Sequence, residues 1–186
     1  MSQSVLVIGA HLDECECGPS GTSMKLAKLG YQVVFLNTVG NFRDWSIIHS
    51  EEDFEALTRE AHEAAALLGA RKVFLDYRNN CFPEGDFEAI GKIAEVAKGI
   101  NPEIALIHWP RDNHYDHVRT AKASLEALSS INRFAGGEPV SLNLKEIIAY
   151  EAGIWQTFDF EPDFYIDVTA EIETAFQSIR AFTHLG

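Results

Sequence analysis

Apolar residues fall into two alternating rhythms along the chain. Val5–Ala10, Gln32–Leu36, Val73–Leu75 and Ile104–Ile107 are short, nearly continuous apolar runs, as expected of strands buried on both faces. Between them, apolar residues recur three and four apart. Gly21–Leu29 reads as a helix stopped by Gly30, and Glu51–Leu68 as a longer one ended by Gly69, with Phe54, Leu57, Ala61, Ala64 and Leu68 on one face. Phe87, Ile90, Ile93, Ala94 and Ala97 mark a third helix; Val118, Ala121, Leu125 and Leu128 mark a fourth. Ile147–Tyr150 and Phe164–Val168 read as late strands and Ala170–Phe182 as a closing helix. Strands alternating with helices through short links predict an α/β fold with a mainly parallel sheet. With no repeat, low-complexity tract or linker, residues 1–186 form one domain.

Composition narrows the classes of function. Fifteen Lys and Arg stand against 28 Asp and Glu, a formal charge of −13 with no basic stripe to offset it. Such a surface repels nucleic acid and anionic membranes. No apolar run approaches the ~20 residues that span a bilayer, and the start of the chain lacks a secretory pattern, so the expected address is the cytoplasm. Three cysteines (Cys15, Cys17 and Cys81) make no disulfide framework, and Cys15-x-Cys17 reads more readily as core packing than as a metal ligand pair.

Chemistry concentrates where strands end. His11-Leu12-Asp13-Glu14 follows the first strand, and Asp112-Asn113-His114-Tyr115-Asp116-His117 follows Ile104–Ile107. Ligands of open α/β sheets gather at the carboxyl ends of strands. A dinucleotide fingerprint after the first strand is excluded, because His11 and Glu14 occupy the slots of its second and third glycines and a phosphate would meet bulk and like charge. Catalytic zinc takes three protein ligands from His and carboxylate and keeps a place for water. His11, His117 and one carboxylate of the first cluster meet that count. The other carboxylate is then free as general base, and His114 is free to donate to an oxyanion with Asp116 hydrogen-bonded behind it to keep it charged. His49, His62, His108 and His184 read as ordinary solvated histidines. Arg43 and Arg59 are candidates to hold one anionic group of a substrate.

These residues resemble the PIG-L/LmbE-like family of zinc-dependent sugar de-N-acetylases. Its Ala-His-Pro-Asp-Asp-Glu…Gly-Gly-Thr string is matched without a gap by Ala10-His11-Leu12-Asp13-Glu14 through Gly21-Thr22, and its His-Pro-Asp-His by His114-Tyr115-Asp116-His117. Arg59-Glu60 through Leu68-Gly69 and Asp167-Val168-Thr169 are similar to further family segments. The resemblance implies a Rossmann-like three-layer sandwich. It also implies His11, Glu14 and His117 as ligands of one zinc or another divalent ion, Asp13 as general base, His114 as oxyanion donor and Arg59 as a substrate contact. The implied reaction removes acetyl from an N-acetylated sugar conjugate. A metal- or glycan-binding relative without catalysis, and an amidase on a non-sugar acyl amine, stay as alternatives. Relatives commonly assemble, so a homo-oligomer stays open. Two departures stand out: Leu12 for the usual proline, expected to loosen the loop, and Glu14 for aspartate, which adds a methylene to a ligand.

Overall fold

The computed structural model describes residues 3–153 and 155–185; residues 1, 2, 154 and 186 of the predicted domain lie outside that range. The elements run β1 (Ser4–Gly9), α1 (Glu14–Cys17), α2 (Ser20–Lys28), β2 (Gln32–Asn37), α3 (Glu51–Leu67), β3 (Ala70–Phe74), α4 (Phe87–Ile100), β4 (Ile104–His108), α5 (Tyr115–Ser129), α6 (Ile131–Phe134), β5 (Glu146–Tyr150) and α7 (Ile172–Arg180). The strands form one sheet in the order β3-β2-β1-β4-β5, and every pairing is parallel. The α/β prediction holds.

Alternate residues of the central strands explain the layers. Leu6 and Ile8 of β1, Val34 and Leu36 of β2 and Ala105 and Ile107 of β4 face α4, α5 and α6 through Ile90, Ile93, Ala97, Ala127, Leu128 and Ile131. Val5, Val7, Val33, Phe35 and Leu106 face the other way, toward Cys15 of α1, Met24 and Ala27 of α2 and Ala65 of α3. Helix ends carry the expected chemistry: Ser50 accepts from the Asp53 N–H to start α3, and Asp86 from the Ala89 N–H to start α4. Asn101, in a left-handed conformation (φ 51°), stops α4. No helix among the described residues is long and apolar enough to cross a membrane.

Strand order reverses at β1. The chain builds outward from β1 to β2 and β3, then returns to place β4 on β1's other side. The crevice between the carboxyl ends of β1 and β4 is therefore the sheet's switch point, where ligands of such folds bind. Both acidic-histidine clusters open onto it.

Several elements differ from expectation. Residues 164–168 make no strand; they run as irregular chain with Phe164, Tyr165 and Ile166 exposed. Their alternation mimics a strand, but their contacts are with α2: Lys25 Nζ donates to Asp167 O at 2.6 Å, and a Cβ on Gly21 would stand 2.7 Å from Val168 Cβ. That close approach requires glycine at position 21. Residues 14–17 already form a helical turn, which Gly18 and Pro19 separate from α2. β3 begins at Ala70 rather than Val73, and α6 was not anticipated.

Candidate metal centre

The His11–Glu14 loop is fixed from four sides. Asn37 at the end of β2 donates through Nδ2 to His11 O. Lys72 of β3, itself fully buried, donates to Leu12 O and pairs with Glu16 Oε1 at 2.8 Å. Burial raises the Glu16 carboxyl to about 7 even against the Lys72 charge. Leu12, expected to loosen the loop, is fully buried among Phe42, Leu57, Ala61, Ala64 and Phe182, and so anchors it. On the fourth side α5 presents His117 and Asp116.

Three donor atoms meet between these elements. His11 Nδ1 lies 2.6 Å from Glu14 Oε1, His117 Nε2 lies 2.5 Å from the same oxygen, and the two imidazole nitrogens are 3.3 Å apart. Ligand atoms on a tetrahedral zinc at about 2.0–2.1 Å stand about 3.3–3.4 Å from each other. The histidine pair already has that spacing, and the carboxylate needs to relax outward by under about an ångström. Each histidine also has acid near its far nitrogen: Asp116 Oδ2 is hydrogen-bonded to His11 Nε2 at 3.2 Å, and Asp112 Oδ2 lies 3.0 Å from His117 Nδ1 without the alignment of a hydrogen bond. Carboxylates in that position orient metal-binding imidazoles and fix the tautomer. The donor set fits a divalent cation. His114 also has a nitrogen near those of His11 and His117, and His108 one near Glu14 and His117.

The electrostatics agree. Burial alone would lower the His11 imidazolium, but the facing Glu14 and Asp116 carboxylates outweigh it and push it up to about 10. Burial opposes ionisation of Glu14, yet His108 and His11 hold it well below the usual carboxylate range. Without an ion, a proton on His11 offsets the carboxylate charge. Asp13 is raised, first by burial and then by the Glu14 charge.

His11, Asp13, Glu14, His114 and His117 line one open cavity of about 510 Å³, with Trp45, Asn79, Trp155 and Gln156 on its walls. The structure brings these five predicted residues together. Asp116 departs from its expected role: its carboxylate serves His11 and accepts from the Asn80 and Phe82 N–H groups at 2.6 and 3.2 Å, and only its backbone N–H touches His114. The reason is positional. His114 caps α5 and turns back over the first turn, while Asp116, one residue into the helix, projects toward the loop after β3. His114 Nδ1 accepts that N–H, so a neutral ring carries its proton on Nε2. Burial, with the charges of His11 and His117, lowers the His114 pKa and keeps it neutral rather than charged. Arg43 and Arg59 do not line the cavity; Arg43 is held by Glu51 at 2.6 Å and lies over the Phe54 ring, and Arg59 is exposed on α3. Cys15 is buried in the core, and neither Cys15 nor Cys17 belongs to a cation-sized donor group among the described residues.

His108 is the residue that sequence reasoning missed. It is 1% exposed rather than solvated, and its Nε2 lies 2.8 Å from Glu14 Oε2. His49, His62 and His184 are exposed as expected. A signal existed: His108 is the last residue of β4, one step beyond the Ile8–Ile107 pairing, and so lies beside the end of β1.

The chain is 27% identical over 194 aligned residues to diacetylchitobiose deacetylase of Thermococcus kodakarensis, covering 96% of this chain and 68% of that protein. The crystal structure of the conserved protein TT1542 from Thermus thermophilus superposes with a TM-score of 0.82 at 21% identity, over 100% of this chain and 80% of that one. GalB, the 4-carboxy-2-hydroxymuconate hydratase from Pseudomonas putida, superposes at 0.78 with 22% identity, over 97% and 79%. At these identities the structural likeness is one of fold, and GalB's name puts a hydratase on it. The GlcNAc-PI de-N-acetylase (PIG-L) family model matches residues 6–128, more than half of the chain and the part that carries both clusters. The chain belongs to the GlcNAc-PI de-N-acetylase (PIG-L) family.

Proposed function

We propose that the protein is a metal-dependent hydrolase, with one zinc per chain, that removes the acetyl group from an N-acetylated sugar. The observation that carries this reading is the convergence of His11 Nδ1, Glu14 Oε1 and His117 Nε2 beside a cavity that also holds Asp13 and His114. A divalent cation bound there would polarise an amide carbonyl and acidify water. The chain's own residues do the rest. Asp13, its pKa raised by burial, takes the proton of the attacking water and passes it to the departing amine. Oxygen bonds to the carbonyl carbon, the C–N bond breaks, and acetate and a free amine leave. His114, neutral with its proton on Nε2, donates to the oxygen that gains charge as the carbonyl is attacked. Trp45 and Trp155 offer apolar faces to a sugar ring. Arg43 and Arg59 lie outside this cavity and would reach only a substrate that extends beyond it.

Free-amine release from N-acetylglucosamine, diacetylchitobiose and simple acyl amides tests this. The wild type is expected to release amine from the sugars, and Asp13→Asn to lower kcat by about 10²–10⁴-fold with zinc content unchanged. Unchanged turnover in Asp13→Asn contradicts the base assignment. Release from acyl amides alone makes this an amidase of another class, and sugar binding without release makes it a binding protein.

A further inference from the structure

Glu14 offers its two oxygens to different partners. Oε2 accepts from the Ala10 N–H at 2.7 Å, the His11 N–H at 2.8 Å and His108 Nε2 at 2.8 Å, while Oε1 faces the His11 and His117 nitrogens. Ala10 N also lies 2.9 Å from His108 Nε2. With the Ala10 N–H assigned to the carboxylate, the shorter of its two contacts, the His108 tautomer protonated on Nε2 donates to Glu14. Of the three groups that hold Oε2, His108 alone is a side chain.

His108 is in turn held rigidly. Its ring stacks on that of His117, with 6° between planes and centroids 4.7 Å apart, and it packs against Tyr150 at 5.0 Å. Tyr150 is tied down by its hydroxyl, which donates to Ile8 O at 3.0 Å. His108 does not line the substrate cavity, so whatever it does for the site passes through the two residues it touches there, Glu14 by a hydrogen bond and His117 by stacking.

We propose that His108 is a positioning residue, which pins Glu14 Oε2 so that the carboxylate meets the cation through Oε1 alone. This rests on the metal reading above. A glutamate has three side-chain torsions, and without an anchor its carboxylate swings to offer both oxygens or withdraws. The backbone donors at residues 10 and 11 fix one end of that arc; His108 closes it. The arrangement also explains how a glutamate serves here: the extra methylene is what brings Oε2 within reach of β4.

The test is cobalt(II) binding, read by chelator competition and by visible absorption, with melting of the metal-free proteins as a check on folding. His108→Leu is expected to weaken cobalt binding about 10–100-fold, the usual cost of losing a group that orients a ligand. Its absorption should also weaken, as coordination number rises. His108→Gln, which keeps an N–H at similar reach, is expected to restore affinity to within about threefold and to restore the wild-type spectrum. In a Glu14→Asp background the shorter carboxylate falls away from His108, so His108→Leu should cost nothing more. Equal loss in His108→Gln and His108→Leu, or the same loss in both backgrounds, overturns the proposal. If the wild type binds cobalt and His108→Leu does not change it, only this proposal fails. If the wild type binds no metal, the metal reading fails with it.

Discussion

Two concave regions of this molecule invite opposite readings. The larger, about 820 Å³, runs along the free edge of β5 between residues 160–168 and α7, and no histidine lines it. The smaller, at the β1/β4 switch point, is lined by two histidines whose nitrogens stand 3.3 Å apart and by a carboxylate oxygen 2.5–2.6 Å from both. The proposed chemistry is placed by convergence of donor groups, not by cavity size. Charged and polar groups at the smaller site are tied together through four elements. The larger groove is bordered by exposed Phe164, Tyr165, Ile166, Ile172 and Phe176.

That contrast can be broken by mutation. The largest expected effect is on the buried side. Lys72→Met leaves Glu16 unpaired beneath the ligand loop, and loss of one partner of a buried pair costs about 3–5 kcal/mol. Chemical denaturation with and without zinc measures it; a change under about 1 kcal/mol would mean the loop does not depend on β3.

Acidity acts on the inner site. The His11 pKa is raised from 6.5 to about 10 in the metal-free fold. Its contribution to stability is therefore fully present below pH 6.5 and is lost as pH rises through about 10. A cation must displace that proton, so zinc affinity should rise about tenfold per pH unit from pH 6 to 9, while the metal-free protein melts progressively lower above pH 6.5. Chelator competition at three pH values checks the first trend and calorimetry the second; a flat affinity profile contradicts the proton's place in the site.

The smallest effect belongs to the outer groove. Tyr165, 87% exposed, should tolerate Tyr165→Ser within about 0.5 kcal/mol and without change in zinc content. A loss of metal in that variant would join the two regions that the structure separates.

How far the sequence revealed this arrangement depends on how local each signal was. His11 and Glu14 were legible because they directly follow an apolar run, and His114 and His117 because they fall in the polar cluster that comes after Ile104–Ile107, where parallel strands carry their chemistry. Asp116 was legible as part of the motif but not in its partner, because the direction of a side chain at a helix start depends on which residue caps it. His108 and Lys72 were not. Lys72 has no pattern around it, and His108, although it directly follows Ile107, stands apart from the cluster at 112–117; the contacts that bury them come from residues 60 and 94 positions away. Phe164–Val168 failed for the opposite reason. Its alternation is real, yet it shows only that one face is apolar, and here that face adjoins α2 and open solvent instead of a neighbouring strand.

The central claim is that His11, Glu14 and His117 hold one cation at the switch point. Elemental analysis of protein purified without chelator, beside a His11→Ala/His117→Ala double variant that still folds, tests it most directly. Close to one zinc per wild-type chain and none in the variant is expected. No metal in the wild type even after zinc is supplied, or equal metal in both proteins, would contradict it.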